Sequence, residues 1–245
     1  MARKMKKSRR DFLLKSMSVV PVIALGGVAL DAAAASPQGG GTAGKDASGA
    51  GASPEYRPVF FTPEEFAFIR AATARLIPDD NLGPGAFAAG VPEYIDRQLQ
   101  TPYGVAANWY MQGPFHPDAD FTMGYQLSLK PQEVYRLGIA EAEAFARKTF
   151  GDHFSALKDA QQDTLLEQME SGKAVFDKLP SRVFFSFLLV DTREGFFSDP
   201  IHGGNRGLAG WKLIGFPGAR ADFMDWVERN EKYPFGPVSI SGERG

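Results

Sequence analysis

Ser181-Arg182-Val183-Phe184-Phe185-Ser186-Phe187-Leu188-Leu189-Val190-Asp191-Thr192-Arg193-Glu194 is the stretch on which the fold class turns. Its apolar residues, Val183, Phe184, Phe185, Phe187, Leu188, Leu189 and Val190, leave almost no polar side. So continuous a run suits a buried strand as well as a buried helix, because periodicity alone does not separate the two. The neighbouring segments favour helix, and no partner strand is evident. We therefore expect a buried central helix over residues 181–194. The fold class that follows is mainly α, a compact helical domain with long loops rich in Gly, Pro and aromatic residues.

Working outward, residues 159–170 place Leu165, Leu166 and Met169 on one helical face, with Gly172 beyond. A longer helix opens at Pro131, carries Val134, Leu137, Ile139, Ala142 and Phe145, and closes at Gly151 in a C-cap position. Thr62-Pro63-Glu64-Glu65 is a capping box with proline at the first helical position. Phe66, Ile69, Thr73, Leu76 and Ile77 follow at helical spacing until Pro78 ends the run. Pro92 opens a short helix with Tyr94, Ile95 and Leu99, and residues 219–229, with Phe223, Trp226 and Val227, predict a last one.

The loops between these helices are long. Residues 79–90 are rich in Gly, Asp and Pro, and residues 101–129 set Trp109, Tyr110, Phe115, Phe121 and Tyr125 among Gly and Pro. Loops of that length are either functional or packed by their own side chains. The rings therefore read in two ways, as self-packing or as anchors of a protein interface.

Motifs that carry chemistry are scarce. The chain has no cysteine, which removes disulfides, thiolate metal sites and CxxCH haem attachment. No G-x-G-x-x-G joins a strand to a helix, so no flavin or nicotinamide cradle is expected in this chain. His116, His153 and His202 lack the spacing that places two imidazoles on one helical face. G-x-S-x-G does not occur, and Glu141 and Glu143 point to opposite sides of their helix. We expect no catalytic, cofactor-binding or metal residues.

The N-terminus has a strong address. Lys6-Lys7-Ser8-Arg9-Arg10-Asp11-Phe12-Leu13-Leu14-Lys15 is a twin-arginine export pattern, with Arg9, Arg10, Phe12 and Leu13 as its core. The apolar run after it covers the 14 residues 17–30 and contains Pro21, Gly26 and Gly27. A spanning helix needs roughly 20 apolar residues, so this run is short for an anchor. Ala32 to Ala35 supply small residues for processing, and cleavage is expected after Ala34 or Ala35. Seven basic residues against two acidic ones up to Ala34 give a net +5. With −2 overall, the remainder carries −7 and offers no basic footprint for nucleic acid. The expected organisation is a signal peptide over 1–35, a Gly/Ala/Ser linker over 36–55 and a helical domain over 56–245.

Gly195-Phe196-Phe197-Ser198-Asp199-Pro200-Ile201-His202-Gly203-Gly204-Asn205-Arg206 and then Gly210-Trp211-Lys212-Leu213-Ile214-Gly215-Phe216-Pro217-Gly218 resemble the C-terminal signature of the gluconate 2-dehydrogenase subunit 3 family. Gly113-Pro114-Phe115, Gly124-Tyr125-Gln126-Leu127, Tyr135 and the Phe61-Thr62-Pro63-Glu64-Glu65 start are similar to its middle region and beginning. The resemblance implies a small, non-catalytic subunit that binds an FAD-containing catalytic subunit of the GMC type, often beside a haem c cytochrome subunit. It implies that the leader takes the folded partner through the twin-arginine translocase to the periplasm, with membrane association only through the complex. The signature loop candidates are Phe197, Asp199, Gly203, Gly204, Asn205, Arg206, Trp211 and Phe216, each serving the fold or the partner interface. Two competing readings remain, a free-standing periplasmic enzyme and a ligand-binding or scaffold protein.

Overall fold

A computed structural model describes residues 56–117 and 119–245. The expected signal peptide and linker, with the expected export residues Arg9, Arg10, Phe12 and Leu13, lie outside the described residues. Six α-helices run through the described chain: α1 (Pro63–Leu76), α2 (Val91–Gln98), α3 (Pro131–Phe150), α4 (Asp159–Glu170), α5 (Ser181–Phe197) and α6 (Ala209–Ile214). Short 3-10 turns fill parts of the connections. Among the described residues, β pairing is limited to isolated bridges, such as Gly218 with Val238.

The ambiguous apolar run is a helix. α5 touches every other α-helix and forms the axis of the domain. Phe184, Leu188, Asp191 and Gly195 are buried along it at helical spacing, whereas Val183, Phe187 and Leu189 are only partly covered. α5 continues three residues past the expected end, to Phe197, because Phe196 is still core.

α1 starts as its capping box dictates: the Thr62 hydroxyl accepts from Glu65 N and the Glu65 carboxylate accepts from Thr62 N. All of Phe66, Ile69, Thr73, Leu76 and Ile77 are buried, and so is Phe68, on the flank of the same face. α3 ends at Gly151 in the left-handed conformation. In mid-helix, a Cβ on Gly138 would stand 2.3 Å from the Phe184 ring, so α3 and α5 cross closely only because that side chain is missing.

The expected helix over 219–229 is replaced by a six-residue 3-10 turn, Ala221–Trp226, none of whose residues is buried. A short helix without a core to cover is not stable alone. Here Arg220 binds Asp222 and Tyr233, and the rings of Phe223, Trp226, Tyr233 and Phe235 pack edge to face in place of an apolar stripe.

Candidate functional site

The signature loop leaves the end of α5 and is tied back to it by its polar residues. Asp199 is 9% exposed, and its carboxylate accepts Ile201 N at 3.0 Å and, from the distant C-terminal segment, Ile240 N at 2.8 Å. Asn205 is fully buried, with Oδ1 accepting Gly210 N and Nδ2 donating to Ser198 O, each at 2.8 Å. A Cβ on Gly204 would lie 2.1 Å from the carbonyl oxygen of Gly195, so only glycine lets the loop approach α5 so closely. Gly203 is also buried. The Trp211 indole Nε1 donates to Phe197 O at 2.7 Å, and its ring meets Phe216 edge to face.

These contacts divide the signature residues. Asp199, Gly203, Gly204, Asn205 and Trp211 are spent inside the fold, Phe197 is half-buried, and Arg206 and Phe216 are exposed. Arg206 pairs with Glu93 of α2, and its backbone N donates to Ala89 O. The 101–129 loop divides the same way. Trp109 and Tyr125 pack on each other and on Phe187 of α5, Phe115 is half-covered, and Tyr110 is 77% exposed. The two groups of candidates sit on different parts of α5, one on Phe187 and the other on the backbone of Phe197.

A cluster that the sequence motifs did not flag lies at the middle of the domain. Asp191, 2% exposed, accepts the Tyr135 hydroxyl of α3 at 2.6 Å. The Tyr103 hydroxyl donates to both carboxylate oxygens, at 3.0 and 3.1 Å. Burial is the largest influence on Asp191 and pushes its pKa up to about 7. The Glu194 charge adds to that rise, while the two phenol hydrogen bonds oppose it. Tyr135 and Tyr103 are held well above the ordinary phenol range, first by burial and then by the Asp191 charge. Glu194 is exposed overall, yet the protein crowding its carboxyl raises it, against a hydrogen bond from Tyr94. The available signal was helical spacing, which puts Asp191 on the same face as Phe184 and Leu188.

A second buried carboxylate, Asp96 of α2, is fully enclosed. It accepts Val59 N, Phe60 N and Phe61 N at 2.6, 3.0 and 2.9 Å and the Tyr56 hydroxyl at 2.8 Å, fastening the start of the domain. Burial and the Asp96 carboxylate push the Tyr56 hydroxyl up to about 12.

No group of three or more His, Cys, Asp or Glu side chains suited to a metal occurs among the described residues. His153 lies 3.0 Å from Glu143, and His116 and His202 are exposed elsewhere. An open hollow of about 320 Å³ at the start of α5, lined by Ser171, Val175, Phe176, Ser181 and Arg182 among others, brings no acid and base together. Among the described residues, no helix is long and apolar enough to cross a membrane.

A family model described as gluconate 2-dehydrogenase subunit 3 matches residues 63–218, from the first residue of α1 to the end of the signature loop. No curated protein and no solved structure matches the chain.

Proposed function

The chain belongs to the gluconate 2-dehydrogenase subunit 3 family, and from that premise we propose that it is the non-catalytic small subunit and export escort of a periplasmic flavoprotein dehydrogenase. Its partner is an FAD-containing catalytic subunit of the GMC type, in a family whose complexes often add a haem c cytochrome subunit. The pair assembles in the cytoplasm, and the Arg9-Arg10 leader takes it through the twin-arginine translocase.

One observation carries the reading: a family match across most of the folded region stands behind an export pattern for folded cargo. Of the signature and loop candidates, the exposed Tyr110, Arg206 and Phe216 are assigned to the partner interface.

Co-expression with the adjacent flavoprotein gene, followed by fractionation, tests this. The yellow catalytic subunit is expected to co-purify with the chain and to appear in the periplasm. With Arg9→Lys and Arg10→Lys together it is expected to stay in the cytoplasm. Flavin or dye-reducing activity in the chain alone, or export of the flavoprotein without it, would overturn the reading.

A further inference from the structure

Tyrosines are unevenly distributed in this domain. Of seven in the chain, Tyr94, Tyr103, Tyr125 and Tyr135 gather around the second half of α5 with Trp109, and no cysteine exists to intercept an oxidant first. Within that group, the fully buried Tyr135 hydroxyl lies 2.6 Å from a carboxylate oxygen of Asp191. The same carboxylate is held by Tyr103, whose ring is 6.0 Å from that of Trp109, and Trp109 is partly open to solvent. A phenol becomes an accessible one-electron donor when a base at hydrogen-bond distance can take its proton, because the high-energy radical cation is then bypassed. An indole in ring contact with the next phenol provides the step to the surface.

We propose that Asp191, Tyr135, Tyr103 and Trp109 form a proton-coupled one-electron site, a sink for oxidising equivalents that reach the surface of this subunit. An oxygen-derived radical, of the hydroxyl class, takes one electron at Trp109 and is reduced to hydroxide. Tyr103 refills that vacancy as its hydroxyl proton shifts to Asp191. Tyr135 then reduces the Tyr103 phenoxyl, which takes that proton back. As the electron leaves Tyr135, its O–H bond breaks and an O–H bond forms on the Asp191 oxygen that had accepted it. A neutral phenoxyl remains, hydrogen-bonded to the new carboxylic acid, while Tyr103 still bonds the other carboxylate oxygen. One electron from a small reductant of the ascorbate class returns by the same path, and the proton moves back to Tyr135.

This goes beyond the escort reading and does not depend on it, since the isolated full chain is enough for the test. Ruthenium tris-bipyridine in a flash-quench experiment supplies a surface oxidant, and transient absorption with electron paramagnetic resonance follows the radical. A long-lived neutral phenoxyl with an exchangeable hydrogen-bond coupling is expected, and it is lost in Tyr135→Phe. Trp109→Phe leaves the Asp191 hydrogen bonds in place and is expected to slow formation several-fold, which keeps the test decisive if Tyr135→Phe folds poorly. Equal radical yield and lifetime in Tyr135→Phe would overturn the proposal. So would a formation rate unchanged by Trp109→Phe, or a radical without exchangeable coupling. Co-purification of the flavoprotein answers the escort reading separately.

Discussion

Asp96 and Asp191 are both buried carboxylates on helices of one domain, and they are satisfied in opposite ways. Around Asp96 the donors are three consecutive backbone N–H groups and one tyrosine. Around Asp191 they are two side-chain phenols, with Glu194 nearby. Backbone donors cannot lose their protons, so they hold a chain segment in place. At Asp191 burial outweighs the two phenol hydrogen bonds, and the carboxyl holds its proton more tightly than an ordinary one. The N-terminal region is thus a fastening, and the middle of α5 is a place where protons can move.

The largest effect should come from breaking the fastening. Asp96→Ala leaves three backbone donors and Tyr56 without an acceptor; at about 1–3 kcal/mol for a buried orphan, and less for the three that are partly buried, the loss should reach about 5 kcal/mol. Chemical denaturation measures it. A loss under about 2 kcal/mol would mean that water or a shifted backbone replaces the carboxylate, and the contrast with Asp191 would weaken.

Asp191 should show next in the pH dependence of stability. Its folded pKa of about 7 lies above the unfolded value of about 3.9. Between those values the folded state binds more protons than the unfolded state. This contribution is therefore complete below about pH 4 and declines as the pH rises towards 7, by up to about 4 kcal/mol. Thermal melts of the wild type and of Asp191→Asn isolate the effect. The wild type should lose ground relative to the variant across that window, with Glu194, Tyr94, Tyr103 and Tyr135 facing the site in both. A constant difference between the two proteins would show that Asp191 stays charged throughout.

The same distinction explains how much of the fold is legible in the sequence. Capping box, proline and glycine signals located α1, α3 and α4, because these are local rules obeyed by adjacent residues. The signature loop was legible as a unit, but its division into internal and outward residues was not. Whether Trp211 or Arg206 is covered depends on the backbone of Phe197 and on Glu93 of α2, far away in sequence. The Asp191 cluster was missed for the same reason: Tyr103, Tyr135 and Asp191 meet only when α3, α5 and the loop between α2 and α3 pack together. The segment over 219–229 failed because an amphipathic pattern describes a surface to be buried without saying whether a core is there to receive it.

A smaller effect should follow from Asp199→Ala, which tests backbone fastening at a second place. It removes the acceptor of Ile201 N and Ile240 N at a partly open site, so about 2 kcal/mol is expected. Because Ile240 N lies on the C-terminal segment, amide exchange there should accelerate while exchange in α3 stays unchanged. Equal acceleration in both would mean that the segment is not fastened through Asp199.

Tyr103→Phe should have the smallest effect on stability and would sharpen the comparison most. The ring keeps its place against Trp109, and only the hydroxyl that bonds Asp191 disappears. Its loss should cost about 1 kcal/mol near neutral pH, the ordinary net value of one hydrogen bond. That hydrogen bond lowers the Asp191 pKa by favouring the charged form. Removing it raises the pKa further and carries the decline in stability to higher pH than in the wild type. Below about pH 4, where Asp191 is neutral in folded and unfolded chains alike, the two proteins should differ least. A cost independent of pH would show that Tyr103 contributes only packing and geometry, and Asp191 would then join Asp96 as a fixed tie.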